Sequence, residues 1–329
     1  MRTDAARARW VAVSTTSDAR PGVAPHRVVS LLASATELLC ELGAGERLVG
    51  RSHECDHPSW VKRLPSVSRP TFDTTGSSAE IDARVRARLS AGKALYEVDA
   101  KQLVDLAPDL IITQTHCEVC AVGPGALPQS PLTITRRPVV ALGASTPSGV
   151  LDDFLQVARV LGLAERGREL VQKIRHRLDA LATTTRPLRH STVVCLEWID
   201  PIFPMSNWMP ELVERAGGTG RLGAPGHHST ATPWDAVRQA DPDVLVVAPC
   251  GFDLPRTLAE MPTLAARPGF RDLRAVRAGR VVAADGNLYF NRSGPSLFTT
   301  PELLAEILHG DVFPPLHEGT AWVRWEGAT

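Results

Sequence analysis

The chain has 329 residues, with 36 basic and 36 acidic side chains and no formal net charge. This length suffices for about two domains, each with its own core. The balanced charge argues against a nucleic-acid partner, because phosphate binding needs a concentrated excess of Lys and Arg. No window approaches the roughly 20 apolar residues that a membrane span requires.

The first residues, 1–26, are predicted to be a flexible leader. They contain Arg residues and the short WVAV run, with Asp18 and Arg20 close behind. A secretory signal instead needs a continuous apolar core of about 7–15 residues. We therefore expect a soluble, cytoplasmic protein whose 6 cysteines are reduced thiols.

Strand-like apolar runs alternate with helical patterns from Val28 onward. In chain order they are VVSLL (28–32), the helix TELLCEL (36–42), RLVG (47–50), the helix SSAEIDARVRARL (77–89), ALYEV (94–98), DLIITQ (109–114) and PVVAL (138–142). This alternation is typical of βαβ units with a largely parallel sheet. Residues 27–146 are therefore predicted to form an N-terminal α/β lobe.

The pattern changes from Pro147 to about Ala182, where apolar residues recur at helical spacing. This predicts one long, nearly uninterrupted helical stretch within a linker of residues 147–188. A second α/β lobe is predicted over residues 189–312, and the tail 313–329 is expected to dock through its tryptophans. The segments of the second lobe are TVVCLEW (192–198), WMPELVERAGG (208–218), PWDAVRQA (233–240), DVLVVAPC (243–250), RVVAAD (280–285) and PELLAEILHG (301–310).

The two α/β sets share phrases in the same order, for example LVDLAPDLIITQ (103–114) and AVRQADPDVLVVAP (236–249). The simplest interpretation is two lobes of related topology joined by the helical linker. The alternative is that parallel α/β domains in general share such helix–Pro–Asp–strand phrases.

Most of the chemically unusual residues follow predicted strands. Ligands of open parallel sheets bind beyond the carboxyl ends of the strands, so these loops are expected to face one another across a cleft. The five loops are RSHECDHP (51–58), THCEVCAVG (115–123), IDPIFPMSNW (199–208), CGFD (250–253) and GNLYFNRSGP (286–295).

Thiols in these loops are candidate metal ligands. A CxxC pair alone is half of a zinc site, but convergence of the loops would supply further thiols and an imidazole for zinc, iron or an iron–sulfur cluster. The alternative is that they are reduced thiols packed in a dry cleft wall. Cys40 and Cys195 lie within apolar segments and are predicted to fill the core. The candidate metal ligands are Cys55, Cys117, Cys120, Cys250 and His116.

Aromatic and polar residues of the same loops are candidate ligand contacts. Large flat side chains beside a few polar groups suit a planar or macrocyclic ligand, although packing between lobes would also place aromatic residues there. There is no phosphate-binding Gly-rich loop, GxSxG elbow or HExxH helix, so no catalytic residue is assigned. The candidates are His53, Glu54, Glu197, Trp198, Asn207, Trp208, Phe252, Tyr289 and Phe290.

The phrases SLLASATELLCELG, LVGRSHECDHP, DLIITQTHCEVCAV, CLEWIDPIF and PDVLVVAPCGFDL resemble the cobalamin-binding protein family, which is related to the B12-binding component of ABC importers. The resemblance covers about residues 27–310. It implies two Rossmann-like α/β lobes with parallel sheets bridged by a long backbone helix, which is the class III periplasmic-binding-protein fold of helical-backbone metal receptors. It implies a small-molecule ligand between the lobes, with little hinge closing.

The sequence departs from that family's pattern at two places. Ser206-Asn207-Trp208 stands where Gly-His-Trp is expected, and Arg292-Ser293-Gly294-Pro295-Ser296 stands where Arg-Pro-Gly-Pro-Arg is expected. An imidazole and a cation that could contact a ligand are therefore absent. Without an export signal, an ABC permease partner is not expected.

Two hypotheses follow from the sequence. The first is a non-enzymatic cytoplasmic protein that binds a corrinoid or related metal-containing tetrapyrrole between its lobes. The second is a metalloprotein or enzyme that has repurposed the cleft, with its cysteines holding zinc, iron or an iron–sulfur cluster in a biosynthetic pathway.

Overall fold

The computed structural model describes residues 24–116, 119, 121–123 and 138–327. Its first part, here the N-lobe, is built on a parallel sheet of four strands in the order β2-β1-β5-β6. A short antiparallel pair, β3 and β4, lies beside this sheet. The elements of the N-lobe are β1 (Val28–Ser30), α1 (Ala33–Glu41), β2 (Leu48–Arg51), β3 (Ser68–Pro70), α2 (Ser78–Ser90), β4 (Tyr96–Val98), α3 (Ala100–Asp105), β5 (Leu110–Gln114) and β6 (Val139–Leu142).

Two helices follow, α4 (Pro147–Val160) and α5 (Ala164–Thr185). The prediction of one nearly uninterrupted helical stretch is wrong at Gly162, whose φ of 71° lies in the left-handed region. The N–H groups of Gly162 and Leu163 donate to the carbonyls of Arg159 and Ala158, which is the Schellman arrangement that ends a helix. The glycine of the Leu-Gly-Leu phrase was the signal for this break.

Helix α5 is the bridge between the two lobes. Its 22 residues span about 33 Å at the usual rise per residue. Near its start, Arg166 donates to the carbonyl of Leu42 in the N-lobe at 3.1 Å. Further along, Arg177 forms a two-point ion pair with Glu302 of the last helix. The expected backbone helix is therefore present, although shorter than the sequence pattern indicated.

The second part, here the C-lobe, has a mixed sheet in the order β12-β11-β10-β7-β8, with β9 pairing β7. Strands β10, β11, β7 and β9 run parallel, whereas β8 and β12 are antiparallel additions. Its elements are β7 (Ser191–Trp198), β8 (Phe203–Pro204), α6 (Met209–Arg215), β9 (Gly218–Gly220), α7 (Trp234–Ala240), β10 (Val244–Val247), α8 (Leu254–Ala265), α9 (Arg274–Arg277), β11 (Val281–Ala284), α10 (Thr300–Leu308) and β12 (Trp322–Arg324).

The central strands of both sheets contribute fully buried residues to the core. All residues of β1, β5, β10 and β11 are buried, as expected for parallel strands covered by helices on both faces. The tail docks, as the sequence predicted: Trp322 is buried in β12, and its indole N–H donates to Glu306 Oε2 at 3.1 Å. Among the described residues, no helix is both long and apolar enough to cross a bilayer.

Candidate functional site

A cavity lies between the lobes, beyond the carboxyl ends of the parallel strands. All five of the post-strand loops singled out in the sequence contribute to it, together with the residues that follow β1 and β6. Its volume is about 80 Å³. The lining residues used below are Ser34, Glu54, His116, Trp208, Cys250, Gly251, Asn287, Arg292 and Ser293.

An imidazole and an indole form one wall of the cavity. The His116 ring follows β5 and stacks on Trp208 of the C-lobe, with 5.5 Å between ring centroids and an angle of 28°. The ring centroid of His228, from the loop after β9, lies 4.6 Å from that of His116. Burial, with a smaller effect of the nearby His228, lowers the pKa of His116 to about 4. His116 is therefore a neutral imidazole at physiological pH.

Hydrogen bonds within the C-lobe hold Trp208 and the preceding Asn207 in position. Trp208 is buried and its indole N–H donates to the carbonyl of Phe290 at 2.9 Å. Asn207 precedes it with a φ of 51°, a conformation that Asn tolerates better than most residues. The backbone N–H of Asn207 donates to the carbonyl of His227. Its buried side-chain Oδ1 has no hydrogen-bond partner in the described part of the chain.

A buried cation lies in the cavity lining. Arg292 is only 8% exposed, and its Nη1 lies 2.7 Å from Asp56 Oδ1 of the N-lobe. Asn287 donates to the other oxygen of Asp56 at 2.9 Å and accepts from Arg292 Nη2 at 2.7 Å. Burial of Asp56 acts to raise its pKa, but the hydrogen bond and charge of Arg292 outweigh this and lower it. The pair is ionised and joins the two lobes.

The His-Glu-Cys phrase after β2 is only partly in the cavity. Glu54 lines it, and its Oε1 lies 3.1 Å from His53 Nε2. His53 Nδ1 is 2.9 Å from Ser68 Oγ, so this imidazole is held by the N-lobe. Cys55 is buried in the N-lobe core, where its sulfur accepts from Thr36 Oγ1 at 3.0 Å. Burial raises the pKa of the Cys55 thiol.

Of the other predicted metal ligands, Cys250 and His116 both line the cavity. Cys117 and Cys120 lie outside the described residues. Within residues 24–116, 119, 121–123 and 138–327, no three His, Cys, Asp or Glu side chains are grouped to hold a metal ion. Cys195 is buried in β7, as predicted, whereas Cys40 packs on the core and is only partly buried.

The remaining predicted contacts lie behind the cavity surface. Trp198 packs edge-on against Phe252, with 5.3 Å between centroids, and Glu197 accepts from Ser229 Oγ at 2.7 Å. Phe290 belongs to the core and Tyr289 packs against it. None of these five side chains is among the described lining residues of the cavity.

Three carboxylates that sequence reasoning missed connect the lobes: Glu37, Asp56 and Glu260, called here the bridging carboxylates. Glu37 Oε1 of α1 accepts from the backbone N–H and the hydroxyl of Ser296 in the C-lobe. Glu260 Oε1 of α8 accepts from the N–H and hydroxyl of Ser78 at 3.0 and 2.8 Å. These contacts join the two lobes at three places.

Glu37 is the most strongly perturbed of the three. It is 5% exposed, and its Oε2 faces no hydrogen-bond donor among the described residues. Burial raises the pKa of Glu37 to about 7, against the opposing effects of the Ser296 hydrogen bonds and the charge of Arg292. The carboxyl therefore changes charge near neutral pH while it lies in the contact between lobes.

Comparison with known proteins gives a consistent picture. A family model described as periplasmic binding protein matches residues 28–288. No curated protein matches the sequence.

Solved structures resemble most of the chain. A periplasmic heme-binding protein from Pseudomonas aeruginosa shares 22% identity with a TM-score of 0.64, covering 89% of this chain and 94% of its own. The periplasmic vitamin B12-binding protein BtuF of Vibrio cholerae shares 18% identity with a TM-score of 0.60, covering 86% and 96%. A possible iron-binding protein from Staphylococcus epidermidis shares 19% with a TM-score of 0.64, covering 87% and 100%. At these identities the likeness concerns the fold.

Proposed function

The chain belongs to the periplasmic binding protein family, and from that premise we propose that it binds a corrinoid or related metal-containing tetrapyrrole between its lobes. The structural neighbours described as binding heme and vitamin B12 support a ligand of this class. Because fold alone does not establish a ligand, the proposal depends on the chemistry of the cleft.

The observation that carries the proposal is the wall made by His116 and Trp208. The indole of Trp208 is stacked on the imidazole of His116, and both residues line the cavity. Together they offer a flat surface to a planar macrocycle. Since the pKa of His116 is lowered to about 4 by burial, its ring nitrogen lone pair is free of a proton at neutral pH. A neutral imidazole of this kind is a common metal ligand.

The cavity must enlarge for such a ligand to enter. Its volume of about 80 Å³ is well below the roughly 300–1,000 Å³ of ordinary small-molecule sites. The lobes therefore have to separate, which breaks contacts of the bridging carboxylates.

Titration with aquocobalamin and with hemin, followed by visible absorption and calorimetry, tests the proposal. We expect a saturable spectral change with one of them, and at least about tenfold weaker binding after His116→Ala, corresponding to about 1.4 kcal/mol. His176→Ala is the matched control, because His176 is an exposed histidine of α5. Absence of a spectral change and of heat with both compounds would contradict the proposal.

A second candidate is the metalloprotein of the sequence hypothesis. It is favoured by one observation, that Cys250 and the neutral imidazole of His116 line the same cavity. In this proposal Cys117, Cys120, Cys250 and His116 hold zinc, iron or an iron–sulfur cluster, without Cys55, which is hydrogen-bonded in the core. It predicts stoichiometric metal in anaerobically purified protein that is lost in the double variant C117S/C120S.

A further inference from the structure

A basic depression lies on the C-lobe at the edge of the sheet opposite the cleft. Its described lining is Asp243, Arg274, Arg277, Ala278 and Arg280, and its volume is about 380 Å³. Asp243 and Arg280 immediately precede β10 and β11, so the depression is at the amino ends of these strands. It is separate from the ligand cleft, which is at their carboxyl ends.

Further arginines reach the same edge. Arg189 lies just before β7, and Arg324 ends the antiparallel strand β12, opposite Val282 near the start of β11. Burial lowers the pKa of Arg280; the charge of Asp243 acts against this, and the smaller effects of Arg324 and Arg189 add to it. Like charges therefore lie near one another at this edge, with Asp243 as a nearby countercharge.

The carboxylates nearby do not neutralise the group. Arg274 pairs with Asp241 and Asp243 at 2.9 and 3.0 Å, and Arg280 donates to Ser191 Oγ and to the carbonyl of Leu308. Within the described residues, the side chains of three arginines of the group make no hydrogen bond or ion pair: Arg189, Arg277 and Arg324. Against the two aspartates, the five arginines leave a local positive excess on a chain whose formal net charge is +0.

We propose that this depression, together with Arg189 and Arg324 at the same sheet edge and here called the arginine depression, binds a soluble ligand through a diphosphate or other multivalent phosphate group. Guanidinium groups present a planar fork of donors that matches phosphate oxygens at two points. A concave site with several such groups favours a compact, multiply charged anion over a single carboxylate. The sheet edge supplies no aromatic stacking residue in the lining, so the phosphate group is the part recognised.

Isothermal titration with inorganic pyrophosphate at low ionic strength tests the proposal on the full chain. The test variant is R277S/R324S, which removes two exposed arginines with no partner in the described chain. The control is R63S/R175S, which removes the same charge from exposed positions elsewhere. We expect the test variant to bind at least about tenfold more weakly, which corresponds to about 1.4 kcal/mol, because two charged donors to the phosphate oxygens are removed. The control should stay within about twofold.

Binding should also weaken as salt is raised, since every arginine of the group except Arg280 is exposed and therefore screened. Failure of the wild-type protein to bind pyrophosphate, or equal weakening in both double variants, would overturn the proposal. A parallel sedimentation assay uses vesicles of phosphatidylcholine with and without phosphatidylglycerol. Arginine-dependent binding to the anionic vesicles without pyrophosphate binding would assign the depression to a membrane surface and likewise overturn it. Unfolding midpoints of both variants verify that they fold.

Discussion

Replacement of Glu37 by Gln tests whether a buried carboxyl between the lobes makes the stability of the protein depend on pH. The pKa of Glu37 is about 7 in the folded protein against 4.5 for the free group. The folded state therefore binds more protons than the unfolded state between these two values. Stability must fall as pH rises from about 4.5 to about 7 and stay lowered above it.

The size of the effect follows from the shift. A displacement of 4.5 to about 7 corresponds to about 3 kcal/mol at 1.36 kcal/mol per pKa unit. Glutamine keeps the shape of the side chain, and its carbonyl can still accept from Ser296. At pH 5, just above the unfolded value, E37Q should be more stable than the wild-type protein by less than about 1 kcal/mol. At pH 8 it should be more stable by about 3 kcal/mol.

Denaturant unfolding of both proteins at pH 5, 6, 7 and 8 measures this difference. Other groups titrate over the same range, but they are common to both proteins and cancel in the difference. Glu214→Gln, at an exposed position of α6, controls for the loss of one negative charge and should show no such trend. A constant difference between E37Q and wild type from pH 5 to pH 8 would refute the reasoning.

Two further substitutions test the other contacts. Asp56→Asn leaves Arg292 buried without its carboxylate, so it should lower the free energy of unfolding by about 3 kcal/mol, measured with denaturant. The control is Asp179→Asn, in an exposed ion pair with Arg215, which should lower it by less than about 1 kcal/mol. Equal losses in the two variants would contradict the assignment. Gly162→Ala forces a side chain into the left-handed conformation that ends α4 and should lower the unfolding free energy by about 1 kcal/mol. Gly310→Ala, at a glycine without positive φ, should change it by only a few tenths.

The sequence was sufficient for the central parallel strands, because each is a short apolar run with its own local signal. DLIITQ contains β5 with one residue before it, and DVLVVAPC contains β10 with one residue before it and three after. The short strands β3, β8, β9 and β12 and the helix α8 were not predicted. The edge of the sheet where the loops meet also followed from the topology alone. The helix break was missed because apolar spacing continues through Leu161 and Leu163, and only Gly162 marks the end.

The contacts between lobes were not accessible from the sequence. Glu37 lies in TELLCEL, where the spacing is equally that of a helix with one solvent-facing carboxylate. Its burial depends on Ser296, which is 259 positions away in the chain. Likewise, Arg292 was noted only for the loss of a neighbouring cation, while its own ion pair with Asp56 spans the lobes. Local periodicity contains no information on which segments of two lobes meet.

Opening of the cleft connects these contacts to binding. Suppose that each bridging carboxylate contributes about 1 kcal/mol through its hydrogen bonds. A form with the lobes separated would then make up roughly 1% of molecules. The apparent affinity for a ligand that binds only this form would be about 100-fold weaker than for a cleft that is already open. Glu37 regains water when the lobes separate, and its pKa then returns toward 4.5 from about 7. Opening near neutral pH therefore releases a proton. If the ligand proposed above enters through such an open form, the population of that form rises with pH through the range in which Glu37 ionises, so proton release and ligand entry are thermodynamically linked.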